Sequence, residues 1–85
     1  MKFEIEVPDY SPSDGLRLEW DHGFSITVQA SASSTMIMAN VEGLVSLARL
    51  LLTLAQPNVP VGVHIHLDQS NSLEGVSQEL VIQRD

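Results

Sequence analysis

The sequence predicts an α+β domain of two layers: a mainly antiparallel sheet of about six strands with one long helix packed on one face, in the order β-β-β-β-α-β-β. Three observations predict it. Apolar and polar residues alternate with a period of two in several short stretches. One run, Asn40 to Gln56, instead spaces its polar residues by fours and threes. The length of 85 residues suffices for one hydrophobic core, so residues 1–85 are read as a single domain.

In chain order, Lys2 to Val7 is the first strand, with Phe3, Ile5 and Val7 alternating with Lys2, Glu4 and Glu6 until Pro8 ends it. Asp9 to Gly15 is a loop of turn-forming residues, among them Ser11, Pro12, Ser13 and Asp14. Leu16 to Trp20 and Phe24 to Ala30 are expected to form a hairpin. Pairing Trp20 with Phe24, Leu18 with Ile26 and Leu16 with Val28 sets every apolar side chain on one face. That register leaves Asp21-His22-Gly23 as the loop, makes His22 a turn residue and puts Gly23 in the left-handed conformation. Thr35 to Ala39 then returns beside Phe24 to Ala30, with Met36 and Met38 as core filler.

Asn40 to Gln56 is the helix, with Asn40 as N-cap, Glu42 in the first turn and Pro57 as the stop. Glu42, Ser46, Arg49, Thr53 and Gln56 occupy an arc about 80° wide at 100° per residue, the expected wet stripe. Leu44, Leu47, Ala48, Leu51, Leu54 and Ala55 centre on the opposite side, the expected buried stripe, flanked by Val45, Leu50 and Leu52. That apolar arc is wider than one sheet normally covers, so the flanks need either wrapping loops or a second chain. Val61 to Asp68 is the most regular strand, with Val61, Val63, Ile65 and Leu67 inward. A polar loop, Gln69 to Gly75, leads to a last strand, Ser77 to Gln83, with Leu80 and Ile82 inward. The other face of the sheet would show Glu4, Glu6, Glu19, His64, His66, Asp68 and Glu79 to water.

Eleven acidic residues against four basic ones give a net charge of −7. Such a field repels nucleic acid and anionic lipid, and it suits a basic protein partner through steered association. The absence of cysteine excludes disulfides, thiolate metal sites and thiol nucleophiles. No stretch approaches the roughly 18 apolar residues of a membrane span, and Met1-Lys2-Phe3-Glu4 carries no apolar signal core. The expected location is the cytoplasm. No glycine-rich phosphate loop and no Gly-x-Ser-x-Gly elbow appears, so neither an enzyme nor a cofactor is expected.

One constellation has metal-ligand character. His64, His66 and Asp68 alternate on a strand, point the same way about 7 Å apart, and could close on one ion given a further ligand. A register pairing Asp68 with Glu79 would bring two carboxylates together and favour a cation between them. A register pairing His66 with Glu79 would give an ordinary polar pair. The favoured reading is a recognition surface of His64, His66, Asp68, Glu79 and Glu19, with a metal site at His64, His66 and Asp68 as the alternative.

Ala39-Asn40-Val41-Glu42-Gly43-Leu44 before the leucine-rich run, Leu54-Ala55-Gln56 at its end, Gly62-Val63-His64-Ile65-His66-Leu67-Asp68 on the next strand, then Leu73-Glu74-Gly75 and Glu79-Leu80-Val81-Ile82, resemble the immunity protein 32 family. The resemblance spans about Phe24 to Arg84. It implies a small bacterial protein, encoded beside a polymorphic toxin, that binds and neutralises that toxin. The expectation is therefore an acidic binding module, monomeric or weakly dimeric, with a basic toxin domain as partner. A homodimeric structural protein joined through the helix flanks is the remaining alternative.

Overall fold

A computed structural model describes residues 1–85. It contains strands β1 (Ile26–Ala30) and β2 (Thr35–Ala39), helix α1 (Val41–Leu54), and strands β3 (His64–Leu67) and β4 (Leu80–Gln83). β1 pairs with β2 and β3 with β4, both antiparallel, as two separate two-stranded ribbons. The class is α+β, but the expected six-stranded sheet is not formed. Two of its strands, Lys2 to Val7 and Leu16 to Trp20, are in no ladder at all.

The N-terminal segment is instead tied to the helix and its exit loop at a few backbone positions. Gln56 accepts a hydrogen bond from the Tyr10 N–H at 3.0 Å and donates to the Pro8 carbonyl at 2.9 Å. Ser46 Oγ accepts from the Asp21 N–H at 2.9 Å, and Asn58 donates to the Tyr10 carbonyl at 3.1 Å. These groups of α1 and its exit loop hold the chain at Pro8, Tyr10 and Asp21, just past the two expected strands, so the segment is strapped along the helix. Part of the expected hairpin survives without its ladder. Gly23 has φ of 80°, and the Trp20 and Phe24 rings stack with centroids 4.8 Å apart.

The same strapping turns the helix over. Gly43, Ser46, Leu50, Thr53 and Leu54 are its buried residues, whereas Leu44, Leu51 and Leu52 are exposed. Leu51, expected at the centre of the buried stripe, is 50% exposed, and Leu50, expected at its flank, is 3% exposed. Ser46 and Thr53 can face inward because each hydroxyl also donates to the carbonyl one turn back, Glu42 at 2.8 Å and Arg49 at 2.7 Å. Gly43 is where α1 passes close to the chain entering β1. A Cβ there would lie 2.5 Å from the Ser25 carbonyl oxygen.

Asn40 caps the helix as expected. Its Oδ1 accepts from the Gly43 N–H at 2.8 Å and from the Ser25 N–H at 2.9 Å, and its amide donates to the Gly23 carbonyl at 2.9 Å. One side chain thus closes α1 and fixes the turn leading into β1. At the other end the Arg84 guanidinium donates to the Leu54 and Gln56 carbonyls at 3.0 and 2.9 Å, bringing a cation to the helix C-terminus from the end of β4.

The core comprises Ile26, Val28, Leu50, Leu54, Val59, Ile65, Leu67 and Leu73, so each ribbon, the helix and two loops contribute. The two ribbons are joined through the segment after the polar loop. Glu74 and Gln78 donate backbone hydrogen bonds to the Ile26 and Val28 carbonyls, and the Ser77 hydroxyl accepts from the Val28 N–H. The Ser77 N–H donates to the Glu74 carbonyl in a turn, and the β4 ladder begins only at Leu80. Met36 and Met38 are not core filler: β2 is an edge strand whose Met36, Ile37 and Met38 are all exposed. No helix is long and apolar enough to cross a membrane.

Candidate functional site

Strand alternation delivers the outward face of the second ribbon. Ile65 and Leu67 are buried, so His64 and His66 point to solvent, opposite Gln83 and Val81 of β4. The two imidazoles meet edge to face with centroids 5.0 Å apart. Leu67 pairs with Leu80, so Asp68 and Glu79 would be the next rung, but the ladder stops before them. Glu79 reaches diagonally to His66 instead, with Oε1 3.7 Å from Nδ1, an ion-pair distance when the ring is protonated.

Asp68 is committed elsewhere. Its Oδ1 accepts from the Ser70 hydroxyl at 2.6 Å and from the Ser70 N–H at 2.9 Å, an Asx turn that opens the loop after β3. The Ser70 hydroxyl bond first, then the Ser70 amide bond, holds the carboxyl below its ordinary range, with smaller help from the Asn71 backbone bond and the charge of His66. His64 Nδ1 lies 3.1 Å from the Gly62 carbonyl. The three side chains of the metal alternative thus turn to different partners, and no group of three or more His, Asp or Glu side chains is placed to hold an ion.

Glu19 is not part of that face. It lies in a cleft of about 630 Å³ with Glu4, Ile5, Glu6, Trp20, Asp21 and Arg49. Arg49 pairs with the Asp21 carboxylate at 2.8 Å and reaches the Glu19 carbonyl at 3.4 Å, which leaves the Glu4, Glu6 and Glu19 carboxylates without an ion pair. The same Ile5 lines a neighbouring groove of about 280 Å³ whose other walls are Phe3, Leu44, Val45 and Ala48. Sequence reasoning missed this groove because it assigned Leu44 and Ala48 to the core. The available signal was the width of the apolar arc of α1, too large for one sheet to cover.

A family model described as Immunity protein 32 matches residues 34–85, from the turn before β2 to the C-terminal residue. No curated protein and no solved structure matches the chain.

Proposed function

The chain belongs to the immunity protein 32 family, and from that premise we propose that it binds a cognate toxin protein and holds it inactive by covering it, with no chemical step of its own. The family match carries this reading. It takes in β2, the Asn40 cap, α1 and the β3–β4 ribbon, which is most of the framework. The net charge of −7 supports a basic toxin surface as the target, since opposite fields speed encounter.

Within this reading the exposed His64, His66 and Glu79 offer polar contacts to the toxin, and Asp68 contributes by fixing the loop beside them. Glu19 acts from the separate acidic cleft. The protein works as a monomer or weak homodimer in the cytoplasm of the bacterium that makes the toxin. Coexpression with the toxin encoded beside it should restore growth only at equimolar or greater amounts, and the two should elute together as a one-to-one complex. Protection by a small fraction of an equivalent would point to catalysis and overturn the proposal, as would the absence of any complex.

A further inference from the structure

Three features of the surface are left unused by the fold: the edge of β2, the outward face of the β3–β4 ribbon, and the groove between the N-terminal segment and α1. Only the groove combines a shape with a charge pattern that selects an occupant. Its lining is wholly apolar, Phe3 and Ile5 from the extended segment and Leu44, Val45 and Ala48 from the helix, yet Phe3 is 73% and Leu44 55% exposed. An apolar concavity left open in this way is available to a partner's side chain. At about 280 Å³ it sits at the lower limit of small-molecule clefts, a size for one large side chain.

Ile5 lines both the groove and the acidic cleft, so the two adjoin at the segment Phe3–Glu6. Glu4, Glu6, Glu19 and Asp21 against Arg49 leave the cleft with an excess of three negative charges. A second copy of this chain is a poor occupant. A two-fold interface whose axis passes through the groove would crowd the acidic clefts of both copies around it, and like charges brought together oppose association. A partner that places an apolar anchor in the groove and cationic side chains in the cleft satisfies both.

We infer that this composite surface anchors the toxin, receiving a basic amphipathic segment whose large apolar side chain enters the Phe3–Leu44 groove while its lysines or arginines meet Glu4, Glu6 and Glu19, with the polar contacts of the ribbon secondary to it. The inference rests on the toxin-binding reading above and adds the surface and the chemistry of its target. An anchor in such a pocket carries most of the binding energy, whereas the exposed charges act chiefly on the association rate.

The test uses the purified full chain and the toxin domain encoded beside it, in three variants: F3S/L44Q for the groove, E4Q/E6Q/E19Q for the cleft, and H64A/H66A for the ribbon. The groove variant should weaken the complex about 30-fold through faster dissociation. The cleft variant should slow association about 10-fold at low salt and flatten its salt dependence. Each is checked for an unchanged melt, and the cleft variant, altered only at exposed carboxylates, keeps the test decisive if the groove variant fails to fold. Wild-type affinity in the groove and cleft variants, with loss in the ribbon variant, overturns the docking site while leaving the toxin-binding reading intact. A wild-type dimer that the groove variant dissociates makes a second copy the occupant and overturns the inference. No binding by the wild-type protein removes the toxin-binding reading itself.

Discussion

The two faces of α1 carry the opposite of what their solubility suggests. The inner face presents Gly43, Ser46 and Thr53 with Leu50 and Leu54, and the outer face presents Leu44, Leu51 and Leu52. Each inner hydroxyl already has a carbonyl of its own helix to bond, and Ser46 also receives the Asp21 N–H, so the burial leaves no polar group unpaired. The outer leucines have no such work within the chain. Polarity that is absorbed by backbone is compatible with a core, and apolar surface that nothing in the fold covers is available to a partner.

Leucine truncation on the two faces separates them most sharply. Leu50→Ala removes a side chain that is 3% exposed and should lower stability by about 2–5 kcal/mol as a core cavity. Leu51→Ala, one residue further on, should lower it by about 1 kcal/mol or less. Urea melts of both variants decide the matter. Equal losses would mean that the outer face is covered in solution, and a dependence of the Leu51 loss on protein concentration would identify a second copy as the cover.

Gly43→Ala probes the inner face at its tightest point. The added methyl meets the Ser25 carbonyl at 2.5 Å, Ile26 Cγ1 at 3.0 Å and Ala39 Cβ at 3.1 Å. A backbone oxygen cannot move aside cheaply, so the gain in helix propensity is outweighed and stability should fall by about 1–3 kcal/mol. A neutral or stabilising result would show that α1 rides higher over β1. Gly43 and Asn40 both lie in the stretch that resembles the immunity family, and both serve the joint between α1 and the first ribbon.

How much of this was legible in the sequence depends on what satisfied the backbone. In β3 alternation was sufficient: the strand buries Ile65 and Leu67 and exposes His64 and His66 as the pattern requires. The helix ends were legible as well, because the Asn40 cap and Pro57 act locally. Lys2 to Val7 and Leu16 to Trp20 alternate equally well, but alternation states which side chains face inward and not whose carbonyl receives the N–H. Ser46, Gln56 and Asn58 bond the backbone just after those segments, at Asp21, Pro8 and Tyr10, and no periodicity reports a side chain that will bond backbone lying tens of residues away. For the same reason the candidate site divided, Glu19 staying with the strapped segment while His66 and Glu79 met on the ribbon.

Ser46→Ala sharpens the contrast between strap and helix. It removes the acceptor for the Asp21 N–H and should cost about 1 kcal/mol, because the bond is only part-buried. Its signature is local: hydrogen exchange at Asp21 should accelerate while amides in β3 and β4 keep their protection. Uniform acceleration would mean that the N-terminal segment is part of the cooperative core and not a strap laid on it.

The smallest effect concerns the same division between committed and free polar groups, now at the end of β3. Asp68 is tied to Ser70 by two bonds, while the neighbouring His66 faces solvent and Glu79. The carboxyl is held below its ordinary range in the folded chain, so its contribution to stability is present above the unfolded value and is lost as pH falls through the folded one. Ser70→Ala removes the hydroxyl bond, the largest cause, and should move the Asp68 midpoint up toward the ordinary carboxylate range. It should stay somewhat below it, because the Ser70 and Asn71 amide bonds persist. His66→Ala removes only the smallest cause and should shift the midpoint less. Side-chain carboxyl chemical shifts followed against pH read both. A larger shift from His66→Ala than from Ser70→Ala would mean that Asp68 answers to the imidazole and not to its own loop, and would return it to the exposed surface of His64, His66 and Glu79.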